Sequence, residues 1–580
     1  MSDFIYQEAP AKEAMIPIVI GVTGHRDLRA EDAENLGGAL DKIFKEFRKL
    51  YPATPFILLT SLSEGADQLA AKVAIENGAS VIVILPFPVD EYKKDFTTRA
   101  SIEEFDEILN ITRNWFVVPP GAGAMDDAYG MAERVEGYTR ASQYIAGHCQ
   151  VLIALWDGEE KGLRGGTAYT VKCKLDGNFE KSGHIYELLS WTDQGPVYHI
   201  VTPRISNPSP EQTAFTQNRY FPASWDDSKA EEFSNLVLGN INSFNQKLID
   251  LFPTIEDQIK TSKSFIIPPD DLRLVPAHLL FLREVYAASD IMALWFQKRR
   301  KHTMISLFVL GVCSLLFFEL YAHAFSNLPW VLAFYPATLG IACLLLARAK
   351  RNHYQDRHLD YRTLAEGLRV QLYWQIARLN ESVSDCYLPR HQGELVWLRY
   401  ALRNCGLSTA GTEDFTYKPT FDDLGFVKNN WVKDQAQFFS KAYSRDNALH
   451  DRQKKWAMAM FSGGLLLAIV FIFMSSLGPH NHFIETMHAP LIIIIVLSAA
   501  IAAAIEGYAE KMAVSEQAKQ YHRMNTLFND ALEKLNYLLE QNNLIGAQIL
   551  IRELGQEALR ENGDWLLMHR ERPMKVQING

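Results

Sequence analysis

Five short stretches in the first third of this 580-residue chain bring together residue types that hold a phosphate or act on the carbon beside it. Thr23-Gly24-His25-Arg26 sets a cation next to a glycine. Ser61-Leu62-Ser63-Glu64-Gly65-Ala66-Asp67 offers hydroxyls and carboxylates. Pro86 lies in a Pro-Phe-Pro run, and Asp157-Gly158 is followed closely by Arg164-Gly165-Gly166-Thr167. Glycines let a backbone approach a ligand, and the N–H groups opening a helix at Thr167 suit a phosphate, with a favourable dipole. Arg26 finds an anionic partner in such a phosphate. Glu64 and Asp67 are the candidate catalytic carboxylates, either being suited to stabilise an oxocarbenium-like centre. Both have plainer readings too, Asp67 as a first-turn helix residue and Glu64 as a solvated loop carboxylate. His25 suits a ligand contact or packing at a sheet edge equally. The candidate ligand-binding set is Thr23, Gly24, His25, Arg26, Ser61, Ser63, Glu64, Gly65, Asp67, Pro86, Asp157, Gly158, Gly165, Gly166 and Thr167, with no metal site among them.

These stretches need a scaffold that brings them to one place. Ile18 to Gly21, Phe56 to Thr60, Val81 to Leu85, Trp115 to Val118, Val151 to Leu155 and Val197 to Val201 are largely apolar runs, as expected of strands buried on both faces of a parallel sheet. Between them, Glu31 to Tyr51, Ala66 to Asn77, Ile102 to Ile111 and Tyr129 to His148 carry helical periodicity. Right-handed crossovers place such helices on both faces, so the fold class is an α/β Rossmann-like doubly wound parallel sheet. Ligands of such sheets bind outside the carboxyl ends of the strands, where this chain puts its small and polar residues.

The second half is different. Met304 to Phe318, Leu328 to Ala347, Trp456 to Leu477 and Ala489 to Ile505 are uncharged apolar stretches forming two hairpins. At ~1.5 Å per residue each spans, or with its flanks completes, a hydrocarbon core of ~30 Å. Lys298, Arg299, Arg300, Lys301, Arg348, Lys350, Arg351, Arg452, Lys454, Lys455 and Lys511 flank the stretches, whereas the connectors Tyr321 to Asn327 and Gly478 to His488 contain no Lys or Arg. By the positive-inside rule both hairpins enter and leave on the cytoplasmic side of the inner membrane, with both termini cytoplasmic. Glu319 and Glu506 sit at span ends, where interfacial placement and pore lining are both open. Arg362, Glu366 and Arg369 suit a salt-bridge ladder or an oligomer contact.

The expected division is residues 1–205 as the nucleotide-binding domain, 206–289 as a linker and helical region, 290–405 as a first two-span unit with spans about 303–322 and 328–348, 406–430 as a linker, and 431–580 as a second unit with spans about 456–477 and 489–506. Helix, hairpin, helix occurs twice, the pattern of an internal duplication. A net charge of -10 argues against a nucleic-acid partner. Six cysteines without CxxC spacing read as free thiols. Met1 to Met15 lacks an apolar core, so insertion is expected to rely on the internal spans.

Two resemblances sharpen these expectations. Gly21-Val22-Thr23-Gly24-His25-Arg26, Ser61 to Asp67 with Gln68-Leu69-Ala70-Ala71, Leu85-Pro86-Phe87, and Ala154-Leu155-Trp156-Asp157-Gly158 with Gly165-Gly166-Thr167-Ala168 resemble the SLOG superfamily, which contains the lonely-guy phosphoribohydrolases and the DNA-processing protein A fold. In those hydrolases the last loop reads PGGxGTxxE. Here Arg164 replaces the Pro, intervening residues are missing, and Tyr169-Thr170-Val171-Lys172 supplies no Glu. The resemblance therefore implies a retained phosphate cradle without the hydrolytic carboxylate, which favours sensing over turnover. Asp360 to Trp374 and Glu561-Asn562-Gly563-Asp564-Trp565-Leu566 resemble SLATT domains, two-span effectors associated with nucleotide sensors in bacterial conflict systems. Together they imply a membrane-anchored sensor of a nucleotide-derived signal, with no other cofactor, that triggers a pore-forming or membrane-disrupting homo-oligomer in anti-phage defence. The enzyme alternative is a membrane-tethered nucleotide N-glycosidase or phosphoribohydrolase using Glu64 or Asp67. A passive scaffold is the third class.

Overall fold

The computed structural model describes residues 10–118, 130–160, 162, 164–177, 194–276, 279–379, 381–387, 395–407, 418–477 and 482–572. Outside these lie the expected helix start at Tyr129, the middle of the 406–430 linker, the tip of the second hairpin connector, most of the Met1 to Met15 stretch and the extreme C-terminus. The chain divides into two compact units, Met1–Ala288 with Leu364–Lys418, and Ser289–Thr363 with Pro419–Gly580.

The first unit is built on β1 (Ile18–Gly24), β2 (Phe56–Thr60), β3 (Ser80–Leu85), β4 (Trp115–Val117), β5 (Val151–Trp156), β6 (Val197–Val201) and β7 (Gln217–Tyr220), in the order β4-β3-β2-β1-β5-β6-β7. The six apolar runs are all strands, and they pair in parallel. Val19, Leu59, Ile84, Leu152 and Ala154 are buried at their centre, the burial that sustains continuous apolar strands. Crossover helices α1 (Ala33–Leu50), α2 (Ala66–Glu76), α3 (Val89–Tyr92), α4 (Arg99–Thr112), α5 (Met131–His148) and α6 (Thr167–Asp176) connect them. Strand order reverses between β1 and β5, whose register runs from Ile20↔Val151 to Gly24↔Leu155. The carboxyl ends of that pair open the crevice where such sheets hold ligands.

The stretch 206–289 holds more structure than a linker. Its strand β7 pairs antiparallel with β6, and a 37-residue helix, α7 (Ala230–Ile266), follows. The polar sequence Gln-Asn-Arg-Tyr carries no apolar alternation because β7 is a half-exposed edge strand. Within α7, Pro253 forfeits a backbone hydrogen bond, yet Val237, Leu238, Ile241, Phe244, Leu248, Ile255 and Ile259 still bury one face.

Two asparagines clamp the start of β1. Asn245 on α7 exchanges both amide hydrogen bonds with the Ile16 backbone, at 2.9 and 2.8 Å. Asn404, on the helix Val396–Gly406, donates to the Pro17 carbonyl at 2.7 Å and pairs with the Gln150 side chain at 2.8 and 2.9 Å. Gln150 in turn accepts from Val19 N–H at 2.8 Å.

Among the described residues, four helices carry segments long and apolar enough to cross a membrane, within Leu280–His323, Pro329–Ile376, Phe421–Ser476 and Thr486–Glu540. Only 11% of each apolar window is buried in the protein, and Leu344, Leu466, Ile472 and Phe473 lie more than half exposed. Such continuous apolar surface is stable in hydrocarbon, where a helix satisfies its own backbone. Both hairpins end alike. The helix Pro329–Arg351 is followed by Asn352 and by His353 at φ 49°, and the helix His482–Lys511 by Met512 and Ala513 at φ 53°, before a further helix starts at Tyr354 or Val514. A left-handed residue that is not glycine carries strain, and here it recurs at equivalent places. At the far end of the first span Glu319 lies 3.4 Å from His323. Arg369 pairs with Glu366 at 2.8 Å, while Arg362 turns to Asp290 at 3.0 Å. The cysteines are free thiols.

Candidate functional site

The loop leaving β1 is shaped by close packing. A Cβ at Gly24 would collide with Ala66 Cβ and approach Leu155 to 3.0 Å. His25 N–H donates to Leu155 O at 3.1 Å and its carbonyl accepts from Ala66 N–H at 3.1 Å, which stitches the loop between β5 and α2. Gly65 takes φ 86°, and a side chain there would strike the Arg26 carbonyl. The turn into α6 is built similarly. Gly165 has φ 77° and passes over the Tyr138–Thr139 backbone, where a Cβ would come within 2.8 Å, and its carbonyl accepts from Ser142 Oγ at 3.1 Å. Gly166 is the N-cap, its carbonyl accepting from Thr170 N–H at 3.0 Å. The N–H groups of the first turn are left for a ligand.

These pieces enclose a cavity of about 300 Å³ at the β1/β5 switch point. Thr23, Gly24, His25, Arg26, Ser61, Ser63, Asp67, Gly165, Gly166 and Thr167 from the expected set line it together. The remaining five do not. Glu64 points to the start of α4, accepting from Thr97 N–H at 3.0 Å and from the Thr97 and Thr98 hydroxyls at 2.7 and 3.3 Å. Those bonds outweigh its partial burial and hold its carboxyl below the usual range. Gly65 and Pro86 are not among the lining residues, and Gly158, at φ 88°, has open space around it. Asp157 is buried as a brace. Its carboxylate lies 3.0 Å from His25 Nε2 and 2.9 Å from Arg204 Nε, and accepts from Glu159 N–H at 3.1 Å and Asn207 Nδ2 at 3.2 Å. Despite desolvation, these partners keep it ionised, with its pKa lowered. Burial lowers the pKa of His25, leaving a neutral imidazole.

The charge balance singles out one cation. Arg204 is matched by Asp157 and by Asp27 at 3.6 Å. Arg26 makes no ion pair among the described residues; its guanidinium lies 4.9 Å above the Tyr138 ring. Desolvation by the surrounding protein works against its charge, but the oxygens of Tyr92 and Tyr138 and the Asp95 carboxylate more than compensate, so its pKa is raised. Asp67 is the opposite case. It is buried, Ser63 donates to its Oδ2 through Oγ at 3.0 Å and through N–H at 3.3 Å, and Oδ1 has no hydrogen-bond partner among the described residues. The Thr60 hydroxyl helps hold the charge without reaching hydrogen-bonding geometry with Oδ1. Desolvation pushes its pKa up to about 6.

Tyr92, Tyr138, Ser142, Trp156 and Arg204 also line the cavity and were not in the expected set. Arg204 follows the carboxyl end of β6, so the rule applied to the other strands reaches it. Tyr138, Ser142 and Ile145 share a face of α5 at helical spacing. Tyr92 carries no sequence signal, being brought in by the single turn after Pro88.

Because Glu64 is not among the cavity-lining residues, Glu64→Gln is expected to leave the affinity of a ligand in the cavity unchanged and to cost under about 1 kcal/mol of stability; calorimetry with a melting curve checks both. No protein-family model matches the chain, and no curated protein matches it.

Proposed function

We propose that this chain is a membrane-anchored sensor of a nucleotide-derived signal, in which a SLOG-like domain governs tandem SLATT-like hairpins that open or disrupt the membrane as a homo-oligomer, in a bacterial anti-phage setting. The observation carrying this reading is Arg26, a cation that lines the cavity and makes no ion pair among the described residues, beside the first turn of α6. A phosphate neutralises the cation and accepts from the helix N–H groups at once. The cavity volume lies at the lower end of the small-molecule range, about 300–1,000 Å³.

The basic flanks at Lys298 to Lys301, Arg348 to Arg351, Arg452 to Lys455 and Lys511 favour soluble parts and termini that face the cytoplasm. The helix Leu280–His323 starts among first-unit residues and continues into the first span, and Tyr354–Ile376 returns across the same division. For a ligand to open the hairpins it must bind the open arrangement more tightly than the closed one.

Arg26→Met keeps the stem and removes the charge. In calorimetry with AMP on the full chain in lipid nanodiscs, it is expected to weaken binding by at least about tenfold. Unchanged affinity would remove the basis for the phosphate site.

A further inference from the structure

Two polar atoms on side chains of the cavity wall have no hydrogen-bond partner among the described residues. Asp67 Oδ1 and the Tyr92 hydroxyl are both buried and both lack a hydrogen bond among the described residues, while their side chains line the same cavity. Neighbouring polar groups are otherwise occupied. Asp67 Oδ2 takes both Ser63 donors, and the Tyr138 hydroxyl donates to Asp95. A buried polar atom without a partner costs free energy, so an orphaned pair on two side chains that line one cavity points to a ligand group that supplies the missing bonds.

The chemistry of the pair narrows the ligand group. Oδ1 only accepts, whereas a phenol both donates and accepts. Arg26 acts electrostatically on both side chains, which disfavours a ligand cation there, and the Asp67 carboxylate repels a ligand oxyanion. A neutral hydroxyl fits both demands, donating to Asp67 and accepting from Tyr92. We infer that Asp67 and Tyr92 form a hydroxyl-recognition subsite that selects a ribose-type sugar, so that the ligand is a ribonucleotide derivative rather than a deoxyribonucleotide or free phosphate. The inference rests on the nucleotide reading of the cavity and adds the part of the ligand that decides specificity. Asp67 is thereby a binding residue, while the phosphate is held elsewhere, by Arg26 and the first turn of α6.

The test measures calorimetric affinity of the full chain in nanodiscs for AMP, 2′,3′-dideoxyAMP and inorganic phosphate. AMP is expected to bind at least about tenfold more tightly than its dideoxy analogue, the worth of a hydrogen bond to a charged group. Asp67→Asn should remove that preference by weakening AMP and leaving dideoxyAMP unchanged. Tyr92→Phe, which deletes a single oxygen, should reduce it in the same sense and guards against misfolding of the first variant. Equal affinity for AMP and dideoxyAMP in the unaltered protein, with both weakened by Arg26→Met, would overturn the hydroxyl subsite and leave the phosphate site standing. No binding of either nucleotide or of phosphate would overturn both. A preference for AMP that survives both substitutions would place the selecting groups elsewhere and also refute the assignment.

Discussion

Asp67→Asn is expected to stabilise the ligand-free protein at pH 7 by about 2 kcal/mol while impairing its binding. The carboxyl is buried and its pKa rises from 3.8 to about 6, chiefly through desolvation. That shift of roughly two units corresponds to about 3 kcal/mol of penalty on the ionised form, of which some is returned as the variant reorganises its contact with Ser63. The sign follows from proton linkage. Between the unfolded pKa near 3.8 and the folded value near 6 the native state binds more protons, so stability falls as pH rises through this window and stays low above it. Thermal unfolding in detergent, followed by tryptophan fluorescence from pH 4 to pH 7, should show that decline in the unaltered protein and lose it in the variant, the difference isolating Asp67. A variant less stable at pH 7 would mean that Asp67 is held for architecture. A residue kept at a cost to stability is the pattern expected of a functional site.

Asn404→Leu is expected to destabilise the first unit by about 3 kcal/mol, because a side chain of similar size leaves two buried groups unpaired. The Pro17 carbonyl loses its 2.7 Å donor, and the Gln150 amide loses the partner it meets at 2.8 and 2.9 Å. Gln150 also holds Val19 N–H, so the loss reaches the strand whose other end delivers His25 and Arg26. A lower melting temperature together with weakened AMP binding is the expected result, read from the same nanodisc samples. An unchanged melting temperature would show the clamp to be dispensable.

The strands and spans were legible in the sequence because burial on two faces, or in lipid, needs unbroken apolar runs, and six strands and four spans have them. What escaped was structure held by other means. β7 is polar because it is an edge, and α7 is interrupted in pattern by Pro253 while packing through Asn245 and spaced apolar residues. At the site, loops following strands were readable from their glycines, which is why Thr23 to Arg26 and Gly165 to Thr167 meet in the cavity. Side-chain direction was not readable. Glu64 and Asp67 lie three residues apart in one stretch, yet one holds Thr97 and Thr98 just before α4 and the other lines the cavity. Asp157 looked like a ligand contact and instead braces His25 and Arg204, since a buried carboxylate must find partners first. Tyr92 and Tyr138 arrive from helices, where no local motif marks them.

In the proposed sensor, occupation of the cavity changes the membrane segments. The decisive measurement is release of carboxyfluorescein from vesicles reconstituted with the full chain, with ADP-ribose or cyclic nucleotides added on the side of the soluble domain. A nucleotide that binds the protein is expected to accelerate release, and Arg26→Met is expected to abolish the acceleration while inserting normally. Binding of the nucleotide to inserted protein with no change in release would contradict the proposal.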